Sequence, residues 1–233
     1  MTRKLVLFDI DGTLLLTAGA GRRAIVATLT EAVGERPEFE RIRFDGKTDP
    51  QIVAEMLAAA GEPEPQEASR VLALCERYVG YLARELERPT ARTTIMPGVH
   101  PLLERLEAEP GVVLGLLTGN LAQGAALKLH SGGIAPERFR VGAYGSDAAH
   151  RPDLPPIAAR RAEPIFGRVP HGAEVVIIGD TPADIGCGAG IDARALAVAT
   201  GAYSVDDLDA CRPHAVFSDL SDTEAVLEGI LGE

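Results

Sequence analysis

The sequence predicts an α/β fold in which a doubly wound parallel sheet carries an inserted α-helical domain. Three observations predict it. Unbroken apolar runs, Leu5-Val6-Leu7-Phe8, Val112-Val113-Leu114-Gly115-Leu116-Leu117 and Val175-Val176-Ile177-Ile178, are bounded by turn residues, the habit of strands buried on both faces. From Pro97-Gly98 onward, strand-like and helix-like segments alternate, as a doubly wound sheet requires. Between residues 18 and 91 the β-branched runs disappear and helical periodicity takes over.

Taken in order, the first strand ends in Asp9-Ile10-Asp11-Gly12-Thr13. Ala24, Ile25, Leu29 and Val33 then form one apolar stripe of a helix. A second helix opens at Asp49 as N-cap with Pro50 at its first position, turns Ile52, Val53, Met56 and Leu57 inward and stops at Gly61. A longer helix over 65–87 places Val71, Leu74, Cys75, Tyr78, Leu82 and Leu86 at helical spacing. No buried strand is expected in this stretch, so 18–91 reads as a helical domain inserted into a core made of 1–17 and 92–233. The core continues with a helix over 99–109, the Val112 strand, a helix over 121–131 and a short strand over 140–144. A helix over 154–166 and the Val175 strand follow, then a helix capped by Thr181 with Pro182 first. Strands at 195–199 and 215–217 and a closing helix with the capping box Ser221-Asp222-Thr223-Glu224 complete it.

A chain of 233 residues, 46% apolar and 24% charged, is long enough for a sizeable core and ordinary for a soluble globular protein. A net charge of -11 argues against nucleic acid or an anionic membrane as partner, since both need basic faces. It also means that an anionic substrate needs local positive charge. No apolar run spans a bilayer, and Arg3-Lys4 leads directly into a strand, so a cytoplasmic protein without a signal peptide is expected. Cys75, Cys187 and Cys211 are odd in number and lack metal spacing, which suits idle thiols in a reducing compartment. The five histidines show no ligand spacing.

Open parallel sheets bind ligands outside the carboxyl ends of their strands. That is where this chain gathers Asp9 and Asp11, then Thr118-Gly119-Asn120, then Asp180-Thr181-Pro182-Ala183-Asp184. Residues two apart on an extended strand face the same way, so Asp9 and Asp11 can serve one site, and Gly12 frees the backbone to turn. Two carboxylates about 4 Å apart repel by about 4 kcal/mol at an effective dielectric near 20, so the cluster requires protons or a cation. Oxygen ligands without nearby His or Cys favour magnesium. A carboxylate can also attack phosphorus, with Thr118, the backbone amides after it and a lysine supplying donors to the phosphoryl oxygens.

These residues resemble a known family. Asp9-Ile10-Asp11-Gly12-Thr13-Leu14, Thr118-Gly119-Asn120 and Gly179-Asp180-Thr181-Pro182-Ala183-Asp184 look like the first, second and fourth motifs of the haloacid dehalogenase (HAD) superfamily, in order and spacing over nearly the whole chain. The helical insert resembles the C1 cap of the phosphoglycolate phosphatase-like branch. The resemblance implies a HAD-like Rossmannoid core and a Mg2+-dependent phosphatase for a small phosphorylated metabolite. Asp9 would be the nucleophile, and Asp11 the acid that protonates the leaving oxygen and later the base that activates water. The metal would be held by the Asp9 carboxylate, the Asp11 backbone carbonyl and Asp180, with Asp184 supporting its waters or the lysine. The third motif offers Lys128 on the helix after the second motif, or Arg151-Pro152 in place of a Lys-Pro pair. Lysine's compact charge favours Lys128, with Arg151 as helper or alternative. The resemblance also implies a monomer or a homodimer.

Other readings stand beside these. Asp-Gly after a strand is a common turn, and Thr118-Gly119-Asn120 alone is an ordinary strand-to-helix turn. Asp180 and Asp184 also suit a helix N-terminus. Lys47, in Gly46-Lys47-Thr48-Asp49, reads either as part of a plain turn or as a side chain meeting the far end of a substrate. Arg22 and Arg23 read first as solvated, with the crevice as the alternative, and Gly19-Ala20-Gly21 as hinge material. A β-phosphoglucomutase-like phosphomutase would share every core residue. A dehalogenase is disfavoured by Asp11, and a receiver-like phosphoacceptor module by the large insert.

Overall fold

The computed structural model describes residues 3–232. Strand β1 (Lys4–Phe8) is followed by β2 (Leu15–Leu16), helices α1 (Ala20–Val33), α2 (Asp49–Ala59) and α3 (Ala68–Leu86), and β3 (Thr94–Ile95). The chain then alternates through α4 (Val99–Ala108), β4 (Val112–Thr118), α5 (Ala122–Ser131), β5 (Val141–Tyr144), α6 (Leu154–Phe166) and β6 (Val175–Gly179). It ends with α7 (Pro182–Cys187), β7 (Arg194–Val198), α8 (Val205–Asp209), β8 (Ala215–Phe217) and α9 (Thr223–Leu231).

Six strands form one parallel sheet in the order β5-β4-β1-β6-β7-β8. The chain starts at the centre on β1, winds outward through β4 and β5, then returns to build the other half from β6. The order therefore reverses between β1 and β6, and such a switch point leaves a crevice at the carboxyl ends of the two strands. Asp9 follows β1 and Asp180 follows β6, which puts both acids at that crevice. This is the doubly wound α/β sheet with a helical insert that the apolar runs predict.

Strand alternation explains the layers. Val6 and Phe8 pack with Leu114, Leu116, Val176, Ile178 and buried residues of α4, α5 and α9 on one face. Leu5 and Leu7 pack with Val113, Leu117, Val175, Ile177 and residues of α6 on the other. Helices α1, α2 and α3 bury a cluster of their own, with Ile25, Leu29, Val53, Met56, Leu57, Tyr78 and Leu82 at its centre and Leu121 of the core against it.

The two-residue strands β2 and β3 pair antiparallel, Leu15 with Ile95 and Leu16 with Thr94, and so pin together the entry and exit of the helical stretch. The α2 N-cap is Thr48, whose hydroxyl accepts from Gln51 N at 3.2 Å, which corrects the expected cap at Asp49. At α9 the capping side chain is Asp222, accepting from Ala225 N at 3.2 Å, so the helix starts one residue later than a Ser221 cap would place it. Helix α8 has a full capping box of Ser204 and Asp207 that the sequence reading passes over.

Candidate active site

The switch point delivers the acids. Asp9 N donates to Ile178 O at 2.9 Å, so β1 and β6 are still paired where the first carboxylate leaves the sheet. Gly12, at φ +88°, turns the chain, and a Cβ there would lie 2.3 Å from Asp180 Oδ2. Glycine is thus required both by the left-handed backbone and by the closeness of the second acid. Thr13 Oγ1 donates to Asp180 Oδ1 at 3.1 Å, and Thr200 Oγ1 donates to Gly12 O, which holds the turn against the core.

Asp9, Asp180 and Asp184 are all buried and each offers an oxygen within 4.8 Å of the others. Burial is the largest cause that pushes Asp9 up to about 6, against the pull of Arg151 and with Asp184 and Asp11 adding to it. Asp180 is pushed up to about 8, again first by burial and then by Asp184 and Asp9. One guanidinium does not neutralise the group. The donor set therefore fits a hard divalent cation, all oxygen and buried, with a surplus of negative charge. Asp184 is the most constrained of the three. Its Oδ2 accepts from Thr181 N at 3.0 Å and Thr181 Oγ1 at 2.6 Å in the capping box of α7, and its Oδ1 accepts from Arg151.

Asp11 belongs to a second constellation. Its Oδ2 accepts from Lys128 Nζ at 2.6 Å and from Asn120 Nδ2 at 2.8 Å. The second hydrogen of Asn120 Nδ2 goes to Thr118 Oγ1 at 2.8 Å, and Asn120 N donates to the same hydroxyl at 3.3 Å. Thr118 Oγ1 thus accepts twice and keeps its own proton to give to a ligand. With Gly119, these residues line a cavity of about 480 Å³ that also receives Asp9, Asp180 and Arg151.

The helical insert forms one wall of that cavity and docks on the core beside it. Thr48 Oγ1 donates to Ala149 O at 2.6 Å, and Asp49 N donates to Gly119 O at 2.8 Å. Leu121 N donates to Asp49 Oδ2 at 2.8 Å. A Cβ on Gly119 would lie 2.1 Å from Lys47 O, so the loop before α2 rests directly on the loop after β4.

A family model described as haloacid dehalogenase-like hydrolase matches residues 3–192, most of the chain. The chain belongs to the haloacid dehalogenase-like hydrolases. Among solved structures, a hydrolase from Pseudomonas syringae is similar at 21% identity over 98% of this chain and 99% of that one, with TM-score 0.74. CbbY from Rhodobacter sphaeroides, in complex with phosphate, is similar at 22% identity, covering 94% and 96%, with TM-score 0.71. A predicted phosphoglycolate phosphatase from Haemophilus somnus reaches 17% identity, covering 97% and 99%, with TM-score 0.68. At these identities the likeness is one of fold. No curated protein sequence matches the chain.

In this hydrolase the two cations offered for the third motif are divided between the two carboxylates at the end of β1. Arg151, on a 3-10 turn after β5 that packs against α7, is the side chain that reaches Asp9, with Nη2 at 3.3 Å from Asp9 Oδ1. Lys128, on α5, reaches Asp11 instead. The Asp11 carboxylate accordingly lies outside the buried acid triad. Lys47 lines the cavity with its ammonium on Glu55 of α2. Arg22 is not simply solvated: it lines the cavity and donates to three backbone carbonyls of the insert. Gly21 lets Lys128 pass, since a Cβ there would lie 3.3 Å from Lys128 Nζ. Asp49 and Tyr78 also line the cavity, although neither carries a sequence signal of a site residue. Asp49 looks like a helix cap in sequence and Tyr78 like one more apolar position of α3. Among the described residues no helix is long and apolar enough to cross a membrane.

Proposed function

We propose that this hydrolase is a Mg2+-dependent phosphomonoesterase that cleaves a small phosphorylated metabolite through an aspartyl-phosphate on Asp9. The observation that carries the reading is the pair of separate carboxylates at the end of β1. Asp9 sits buried in the acid triad, and Asp11 sits on Lys128 and Asn120 facing the same cavity. A nucleophile and a proton carrier are thus held apart, each with its own cation. The phosphate in the similar CbbY supports phosphate as the group bound.

Asp9, Asp180 and Asp184 would hold the ion, which when bound neutralises their charge and that of the phosphoryl oxygens. In the first step a bond forms from an Asp9 oxygen to phosphorus as the ester P–O bond breaks, and Asp11 gives its proton to the leaving oxygen. Both protein donors to Asp11 use Oδ2, which leaves Oδ1 to carry that proton. Thr118 Oγ1 donates its free hydrogen to a phosphoryl oxygen. In the second step Asp11 takes a proton from water as the water oxygen bonds to phosphorus and the Asp9–P bond breaks, releasing phosphate. The insert, 18–91, acts as a cap that excludes bulk water and surrounds the leaving group.

The test is phosphate release from a panel of phosphomonoesters with Mg2+, without any bisphosphate activator, beside Asp9→Asn. Turnover by the wild type and its loss in the variant are expected. Equal release by both would end the assignment of Asp9, and strict dependence on a bisphosphate would favour the phosphomutase.

A further inference from the structure

The cavity described above holds four cationic side chains, and each is already engaged. Arg151 is on Asp184 and Asp9, Lys128 on Asp11, and Lys47 on Glu55. Arg22 spends its guanidinium on the carbonyls of Phe39, Glu40 and Ile42, each at 3.0 Å, while stacked 4.5 Å from the centre of the Phe44 ring. The walls contributed by the insert are otherwise apolar, with Ile25, Phe44 and Ile52, apart from Asp45, Asp49 and the Tyr78 hydroxyl.

Resting on the phosphatase reading, we propose that the site selects phosphomonoesters whose leaving group is an uncharged alcohol and discriminates against leaving groups that bear a carboxylate. A carboxylate on the departing fragment would find only Arg22 without an acidic partner among the described residues, a guanidinium whose Nη atoms are already held on three carbonyls, and would share the cavity with Asp49. Pairing it with Arg22 would require drawing the guanidinium off those carbonyls, and pairing it elsewhere would require breaking Lys128 from Asp11 or Lys47 from Glu55, the first of which holds the proton carrier. An alcohol bearing further hydroxyls meets better partners. Asp49 uses only Oδ2 on Leu121 N, so Oδ1 is open as an acceptor, and the Tyr78 hydroxyl makes no hydrogen bond among the described residues. An acceptor and a hydroxyl that face the cavity reward a substrate hydroxyl, and the acceptor's charge penalises a like charge.

The inference turns against phosphoglycolate, the substrate that family resemblance suggests first. Its test is kcat/KM with Mg2+ for neutral esters (2-hydroxyethyl phosphate, glycerol 1-phosphate) against carboxylate esters (2-phosphoglycolate, 3-phosphoglycerate), with p-nitrophenyl phosphate as a control. The best neutral ester should exceed the best carboxylate ester by about tenfold or more. Asp49→Asn, which removes the charge and keeps the shape, should narrow that ratio at least about threefold by raising kcat/KM for the carboxylate esters. Carboxylate esters turned over as well as or better than neutral ones would overturn the inference and leave the phosphatase reading standing. Turnover of p-nitrophenyl phosphate alone would also overturn it, because the cavity would then favour neither class. No turnover of any ester would overturn the phosphatase reading, and the inference with it.

Discussion

Lys128 Nζ lies 2.6 Å from Asp11 Oδ2, although 117 residues separate them in sequence. The ammonium is buried on α5, and Gly21 of the insert stands over it with no side chain in the way. Together with Asn120 it fixes one oxygen of Asp11 and leaves the other for proton traffic. On the proposed reading, in which Asp11 carries the proton, this arrangement directs it from Oδ1, and the consequence is readable in leaving-group dependence.

Asp11→Asn should lower kcat on alkyl phosphates by about 10²- to 10⁴-fold, the usual contribution of a positioned acid or base. On p-nitrophenyl phosphate the first step should survive, because nitrophenolate departs without a proton, and a burst of nitrophenol followed by slow turnover is expected. Lys128→Met should follow the same pattern more weakly, by about tenfold on alkyl esters. Loss that is uniform across leaving groups would deny both residues this role.

Arg151 should matter to stability as well as to turnover. It is buried between Asp184 and Asp9, and those acids hold its guanidinium charged even though burial opposes that. Arg151→Ala leaves buried carboxylates without their cation, for which a cost of about 3–5 kcal/mol is typical. Arg151→Lys restores charge but not the forked reach, so an intermediate loss is expected. Urea unfolding of the metal-free protein measures both, and an alanine variant as stable as the wild type would contradict the burial argument.

Much of this was legible in the sequence. The apolar runs place β1, β4 and β6, and the acids that end them mark the crevice, because a doubly wound sheet leaves its strand ends little freedom. Thr181-Pro182 gives the start of α7 for a local reason, a cap beside a fixed φ. What stayed hidden depends on distant partners. Arg151-Pro152 stands as the alternative third motif, but nothing near it in the chain says that Arg151 rather than Lys128 will meet Asp9, and Asp49 carries the same signature whether it caps a helix or accepts from Leu121. The strands β2 and β3 contain two residues each, too few for an alternating pattern to register.

Closure of the insert can be tested at a single atom. Gly119→Ala would put a methyl carbon 2.1 Å from Lys47 O and 2.8 Å from its carbonyl carbon, backbone atoms that cannot rotate aside. The loop before α2 must therefore lift from the loop after β4, breaking the Asp49 N to Gly119 O bond. A fall in kcat/KM of about 10²-fold is expected, as for other displacements of about 1 Å near a reacting group. The far-ultraviolet spectrum should be unchanged. Wild-type kinetics in this variant would mean that docking of the loop is irrelevant to turnover.

Metal and protons should compete for the acid triad, and the sign follows from the shifts. Asp9 and Asp180 are raised from 3.8 to about 6 and about 8, so the folded protein holds their protons more tightly than the unfolded chain does. The stability they lend is complete below about pH 4 and is lost as pH rises through about 6 and then about 8. Asp49, raised to about 6 mainly by burial and against the pull of Lys128, adds to the same trend. A divalent ion favours the ionised acids, so the rise in Tm on adding Mg2+ should be larger at about pH 8 than at about pH 5. Comparing each pH with and without the ion cancels the surface carboxylates that titrate in the acid range. Asp180→Asn should shrink the Mg2+-dependent rise at about pH 8, leaving the metal-free Tm less sensitive to pH. A rise in Tm that is the same at both pH values, or that survives in Asp180→Asn, would show that the ion binds elsewhere.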